Sequence, residues 1–227
     1  MKKEYIPALR FSWLTQFYDF ILQVTFPEKR IKKALITQCA FRENEHVLDF
    51  GTGTATLPLM IKQRYPLITI IGIDVDKNIL EIAERKIRIE RELHIELINY
   101  NGFKIPVPDN FVDKVVSSLV FHHLSTQHKR LALKEIHRIL KPGGELHIAD
   151  FGKPDNFFTS VAFGIFRRFD GEQNTRINVF GLLPYMIDAA GFTNVEENEY
   201  FNTLFGTVRL IRAVKNEQFP YPDYSAV

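Results

Sequence analysis

Apolar positions along the chain change period several times, and the changes divide it into alternating elements. Leu9, Trp13, Phe17, Phe20, Ile21 and Val24 recur at steps of three and four, which is helical spacing, until Pro27 ends the run. Ile31, Leu35 and Ile36 then mark a second helix from about Glu28 to Ala40. Beyond it the pattern shifts to apolar runs: Val47 to Asp49, Thr69 to Asp74, His94 to Asn99 and Glu145 to Asp150, each closing in a polar residue, and Lys114 to Val120, apolar in its second half apart from two serines. Such runs read as strands of a parallel sheet covered on both faces. Helical stripes separate them: Leu57, Met60 and Ile61; then Leu80, Ala83 and Ile87; then Leu133, Ile136 and Leu140, with Ser125 as a cap. Leu182 to Ala190 gives a last helix, and Phe192 to Tyr200 with Thr203 to Val214 gives a closing antiparallel hairpin. The order predicts an α/β fold: a doubly wound, seven-stranded, mostly parallel sheet.

The first strand ends in a glycine turn, Asp49-Phe50-Gly51-Thr52-Gly53-Thr54-Ala55-Thr56. Two glycines one residue apart let the backbone turn sharply and approach a ligand closely. A dinucleotide GxGxxG would need a third glycine where Thr56 stands. What remains, acid-x-Gly-x-Gly-x-small, resembles the first motif of class I S-adenosylmethionine-dependent methyltransferases. Asp74 follows Gly53 by 21 positions, the interval that brings the end of a second strand beside the first turn. There a carboxylate accepts both hydroxyls of a ribose; the competing reading is a helix N-cap, a place Asp76 fills equally well. The resemblance implies that Asp49, Gly51, Thr52, Gly53, Asp74 and Val75 bind the cofactor. It also implies that Asn101 and Gly102, after the third strand, meet the adenine. The family usually has an acid at the first of these, and an Asn accepts from an amine only through its amide oxygen; a plain turn residue is the alternative. Ile105-Pro106-Val107-Pro108 to Asp113, and Arg138 to Gly144 (RILKPGG), are similar to the ubiquinone/menaquinone-biosynthesis type of this family. In similar enzymes an aromatic of the N-terminal helix covers the cofactor, a place for Tyr18, with plain packing as the other reading.

This gives one domain: an N-terminal helical cap (1–45), a cofactor-binding half (46–150), an insertion or substrate cap (151–190), and C-terminal strands with a tail (191–227). Phe157, Phe158, Ile165, Phe166 and Phe169 draw an aromatic stripe through the insertion, which reads either as a packed cap helix or as a substrate wall. His122 and His123 close the fourth strand, where ligands of open parallel sheets sit. Each is a candidate general base or, on the other reading, a loop anchor. No third metal ligand stands at a recognisable spacing, so no metal is expected.

Charge narrows the partners: 29 basic against 27 acidic residues leave +2, without the basic patch of a nucleic-acid binder. The single Cys39 forms no intrachain disulfide, no apolar run reaches membrane-spanning length, and a cytoplasmic protein without membrane association is expected. Ser118-Leu119-Val120-Phe121 lacks the Asn/Asp-Pro-Pro-aromatic sequence of amino-directed nucleic-acid methyltransferases. The expected reaction is methyl transfer from S-adenosylmethionine to a small, apolar or aromatic acceptor. It needs alignment and exclusion of water more than acid–base machinery. Two other readings stay open: a cofactor-binding regulatory protein without transferase activity, and a nicotinamide-dependent reductase, against which Thr56 argues. The acceptor's identity and the oligomeric state are unread.

Overall fold

The structure, a computed structural model, describes residues 26–90, 94–155 and 180–216. Trp13, Phe17, Tyr18 and the Phe157–Phe169 stripe lie outside the described residues. The elements in order are α1 (Glu28–Cys39), β1 (His46–Phe50), α2 (Thr56–Arg64), β2 (Thr69–Asp74), α3 (Lys77–Ile89), β3 (Glu96–Asn99) and β4 (Val112–Ser118). A single 3₁₀ turn (Phe121–His123) follows, then α4 (Thr126–Ile139), β5 (Leu140–Phe151), α5 (Leu183–Ala189), β6 (Phe192–Thr203) and β7 (Gly206–Lys215). The caps are the residues that the sequence offers: Asp76 accepts from Asn78 N at 2.8 Å to open α3, and Ser125 accepts from His128 N at 3.3 Å to open α4.

The strands form one sheet in the order β3-β2-β1-β4-β5-β7-β6, parallel except that β7 runs against both β5 and β6. Alternate residues feed two apolar layers, as the two-residue period of a strand requires. Leu48, Ile71, Val115, Leu146, Ile148 and Ile211 pack with Leu133 and Ile136 of α4 and Ile187 of α5. Val47, Ile70, Val116, Ala149 and Leu210 pack on the other side with Ile31 and Leu35 of α1 and Leu57 and Ile61 of α2. Chain direction out of β1 and β4 diverges between these layers, so a crevice opens at their carboxyl ends.

The hairpin turns later than the sequence reading has it, β6 running on to Thr203, β4 starts two residues sooner, and two further departures bear on the sheet. Lys141-Pro142-Gly143-Gly144 is not a turn ahead of β5 but a bulge inside it: Leu140 pairs with Val112 and Glu145 with Lys114, so the longer stretch bows out. A side chain at Gly144 would come within 2.8 Å of Lys141 O and 3.0 Å of Asp113 O, which explains the glycine. The fourth strand ends two residues early, at Ser118, because Leu119 turns to φ +61° while its N–H still reaches Ala149 O at 2.8 Å.

The amino-terminal end of the sheet is closed by charge. Glu145 takes Lys114 Nζ at 2.5 Å, Arg212 through its guanidinium, and His147 Nε2 at 3.3 Å. His147 together with the two cations outweighs burial and holds the Glu145 carboxyl well below the usual carboxylate range. Burial keeps His147 neutral, its Nδ1 facing Gln38 Nε2 at 3.2 Å. After β3, the loop expected from its prolines is held by Arg138, whose guanidinium donates to Ile105 O, Val107 O, Asp109 and Glu135.

The candidate active site

Asp49 is 2% exposed near the end of β1, and the chain leaves the strand through Gly51 at φ +73° and Gly53 at φ +54°. A left-handed turn is needed here because both Gly51 N and Thr52 N donate back to Ile73 O at 2.9 Å, folding the turn over the end of β2. Close approach adds a second constraint at Gly51: a Cβ would stand 2.5 Å from Val120 Cγ2. At Gly53 the space beyond the backbone is open. Ala55, also left-handed at φ 57° and fully buried, carries the chain into α2.

Asp74 closes β2 and is joined to the glycine turn: its Oδ2 accepts from Gly53 N at 2.9 Å and its Oδ1 from Asp76 N at 3.0 Å. Both oxygens keep a further lone pair for a ligand. Asp76, not Asp74, caps α3. Val75 stands 59% exposed beside Gly102, where a Cβ would lie 3.6 Å from Val75 Cγ1. Asn99 Nδ2 braces this stretch by donating to Asp74 O and Val75 O. Asn101 has its amide oxygen engaged by Phe103 N at 3.0 Å and Lys104 N at 3.2 Å, a turn-stabilising arrangement that occupies the acceptor expected for an amine. Tyr100, between them, has its phenol pushed up to about 12 by burial and by the Asp74 carboxylate, so it stays a donor.

Asp49 is electrostatically uneasy. Burial lifts its carboxyl to about 6, an effect that the nearby Thr52 hydroxyl and Lys32 ammonium offset in part. Thr52 Oγ1 stands near enough to Asp49 to ease its charge, yet among the described residues it and Ser118 Oγ are buried without a fully formed hydrogen bond. Because the fold favours protonated Asp49, the stability this contributes is present below about pH 4 and lost as pH rises through about 6. We therefore expect ligand-free Asp49→Asn to exceed the parent by roughly 2–3 kcal/mol at pH 8 and to match it at pH 4, as read by urea unfolding at both values. An equal gap at the two pH values would contradict a strained carboxylate.

Past β4, Val120 lies against Gly51, and His122 and His123 follow with ring centroids 3.8 Å apart. His122 is buried and His123 exposed. Asp150, fully buried at the end of β5, binds His122 Nδ1 at 2.8 Å through Oδ1 and collects the N–H groups of Val120, Phe121 and His122 on Oδ2. The sequence reading gave Asp150 no role beyond ending a strand, although an apolar run closing in an acid is the pattern already noted at Asp49 and Asp74. Lys129 of α4 is also buried here, with Nζ on Leu124 O at 2.7 Å. The turn, the Asp74 carboxylate and the imidazole pair thus gather at the carboxyl ends of β1, β2 and β4. The glycine turn with open space beyond Gly53, the exposed Val75 and the Asp74 carboxylate fit a nucleoside ligand with a charged tail.

Comparison with known proteins agrees with this geometry. A family model described as a methyltransferase domain matches residues 48–148. A demethylmenaquinone methyltransferase of Thermus thermophilus is 30% identical over 71% of this chain and 68% of its own length. One of Symbiobacterium thermophilum is 30% identical over 73% and 65%. The chain therefore spans about two thirds of the length of these relatives. A ubiquinone/menaquinone biosynthesis C-methyltransferase UbiE, from Pectobacterium atrosepticum, is 26% identical over 94% of this chain and 92% of its own. Among solved structures, a SAM-dependent methyltransferase of Aquifex aeolicus superposes with a TM-score of 0.62 at 20% identity, covering 86% of this chain and 97% of that one. The fold is the same.

Proposed function

The chain belongs to the class I S-adenosylmethionine-dependent methyltransferases of the ubiquinone/menaquinone-biosynthesis type, and from that membership we propose that it methylates a ring carbon of a small apolar quinol. The observation that carries the reading is the bond from Gly53 N to Asp74 Oδ2, which ties the glycine turn to the carboxylate at the next strand end and makes one binding wall of two motifs. S-adenosylmethionine, when bound, supplies a sulfonium methyl for in-line displacement. Asp74 would hold the ribose hydroxyls, Val75 and Gly102 would bound the adenine slot, and the turn Gly51-Thr52-Gly53 would receive the methionyl part. Asp49, whose ionisation burial opposes, gains from a positively charged ligand. Asn101 supports the rim by shaping the turn, and Tyr18 would cover the ligand from the N-terminal helix. His122, with His123 beside it, would take the proton of a quinol hydroxyl, which raises electron density on the ring carbon that attacks.

The acceptor class rests on the relatives, whose names give demethylmenaquinone and ubiquinone/menaquinone precursors. No helix among the described residues is long and apolar enough to cross a membrane. Incubation with tritiated S-adenosylmethionine and reduced demethylmenaquinone bearing a short side chain tests the proposal. Label is expected on a ring carbon of the quinone, with none transferred to the oxidised acceptor, which has no hydroxyl to deprotonate. Tight cofactor binding without transfer to any quinol would instead support a binding protein.

A further inference from the structure

We propose that Asp150 is a positioning residue of the active site, holding His122 in the tautomer that carries its proton on Nδ1 and leaves the Nε2 lone pair as the base. The proposal rests on the reading of His122 as the group that takes the acceptor's proton.

It follows from the donor count. Burial alone would lift the Asp150 carboxyl, but His122 and the N–H groups of Phe151 and Phe121 more than reverse this and hold it below the usual carboxylate range. The side chain is therefore ionised, and an ionised carboxylate only accepts. Its Oδ2 receives Val120 N at 3.0 Å, Phe121 N at 2.7 Å and His122 N at 3.4 Å, and its Oδ1 receives Phe151 N at 2.7 Å. The 2.8 Å contact between Oδ1 and His122 Nδ1 must then be an N–H donating to oxygen. A neutral imidazole so bound has its lone pair on Nε2. The edge of the His122 ring also meets Phe151, centroids 5.0 Å apart and planes at 89°, which fixes the ring's rotation.

Charge around the pair is balanced. Lys129 is fully buried in the same region; burial lowers it to about 8, and Asp150 acts in the opposite direction. The carboxylate thus has a buried ammonium nearby in addition to its hydrogen-bond donors. Arg209 of β7 faces Asp150 in register, but its guanidinium donates to Lys153 O and Glu197. The His123 ring lies beside that of His122, centroids 3.8 Å apart and planes at 44°. At the opposite end of the sheet His147 makes the reverse choice, with Nε2 toward Glu145, so the tautomer follows the carboxylate rather than the residue type.

The test is Asp150→Asn. One amide oxygen cannot serve both sides, and the three N–H groups of the turn will claim it. The amide NH₂ then faces Nδ1 and drives the proton to Nε2, which removes the base at the cost of the Phe151 N–H bond to that position. We expect kcat for quinol methylation to fall by about 10²- to 10⁴-fold, with the KM of quinol and the affinity for S-adenosylmethionine within about threefold of the parent. Nitrogen-15 NMR of the histidines should show the proton on Nδ1 of His122 in the parent and on Nε2 in the variant. In a His122→Gln background the same change should cost less than about threefold, since a residue acting through another has no effect once that other is gone. Full activity in Asp150→Asn, or a parent with the proton on Nε2, would overturn the positioning role while leaving the base intact. Full activity in His122→Gln would overturn the base itself. If the variant does not fold, the parent's spectrum decides alone.

Discussion

Asp74→Ala should weaken S-adenosylmethionine binding by about 30- to 1000-fold, a loss of roughly 2–4 kcal/mol by calorimetry. Two effects add. The substitution removes a charge-assisted acceptor for the ribose hydroxyls, and it cuts the bond that holds Gly53 N at 2.9 Å, so the glycine turn loses its tie to β2. Asp74→Asn separates them. The amide oxygen can still accept from Gly53 N, so the turn stays in place while the charge is gone, and the loss should be about half as large in free energy. Asp76 continues to cap α3 in both variants, so thermal unfolding without ligand should move by only a few degrees. Unchanged affinity in Asp74→Ala would remove this residue from the binding site.

Gly51→Ala should have the largest effect on the fold itself. At φ +73° an alanine strains the backbone by about 1 kcal/mol or more. Its Cβ would stand 2.5 and 2.8 Å from the two methyls of Val120 and 3.2 Å from that residue's Cβ, so rotating the valine does not clear it. Val120 is held in turn by the bond from its N–H to Asp150. Together these predict a loss of about 2–4 kcal/mol, seen as a drop in melting temperature of about 5–15 °C. Adding Val120→Ala relieves the overlap but not the backbone strain, so the double variant should recover part of the loss and never all of it. A single variant as stable as the parent would mean that the turn is slack.

The central strands β1, β2 and β4 are legible because each is a short apolar run, and a strand covered on both faces allows little else. The expected place of the site comes from the glycines at 51 and 53 and the acid at 74, which the fold joins through the bond from Gly53 N to Asp74 Oδ2. What stayed hidden depends on contacts between residues far apart in the chain. The bulge at Lys141 to Gly144 exists because β5 must stay in register with β4 on either side of it. Leu119 ends its strand in a left-handed conformation that nothing in a leucine announces. Asp150 looks like one more acid at a strand end, and only the fold brings it to His122, 28 residues earlier. Asn101 could be read as a ligand contact or a turn residue, and the choice depended on which donors its oxygen would meet.

The two ends of the sheet differ in how far their polar groups are committed. At the amino-terminal end, Glu145, Lys114, Arg212 and His147 satisfy one another. At the other, the hydroxyls of Thr52 and Ser118 are left without a fully formed hydrogen bond among the described residues and a buried carboxylate resists its charge. Amide hydrogen exchange should therefore be slowest across the middle and base of β4, β5 and β7, and fastest in the 51–55 turn, because a segment opens where it has least to lose. Binding of S-adenosylmethionine at the proposed site should therefore slow exchange in the 51–55 turn more than across the base of the sheet.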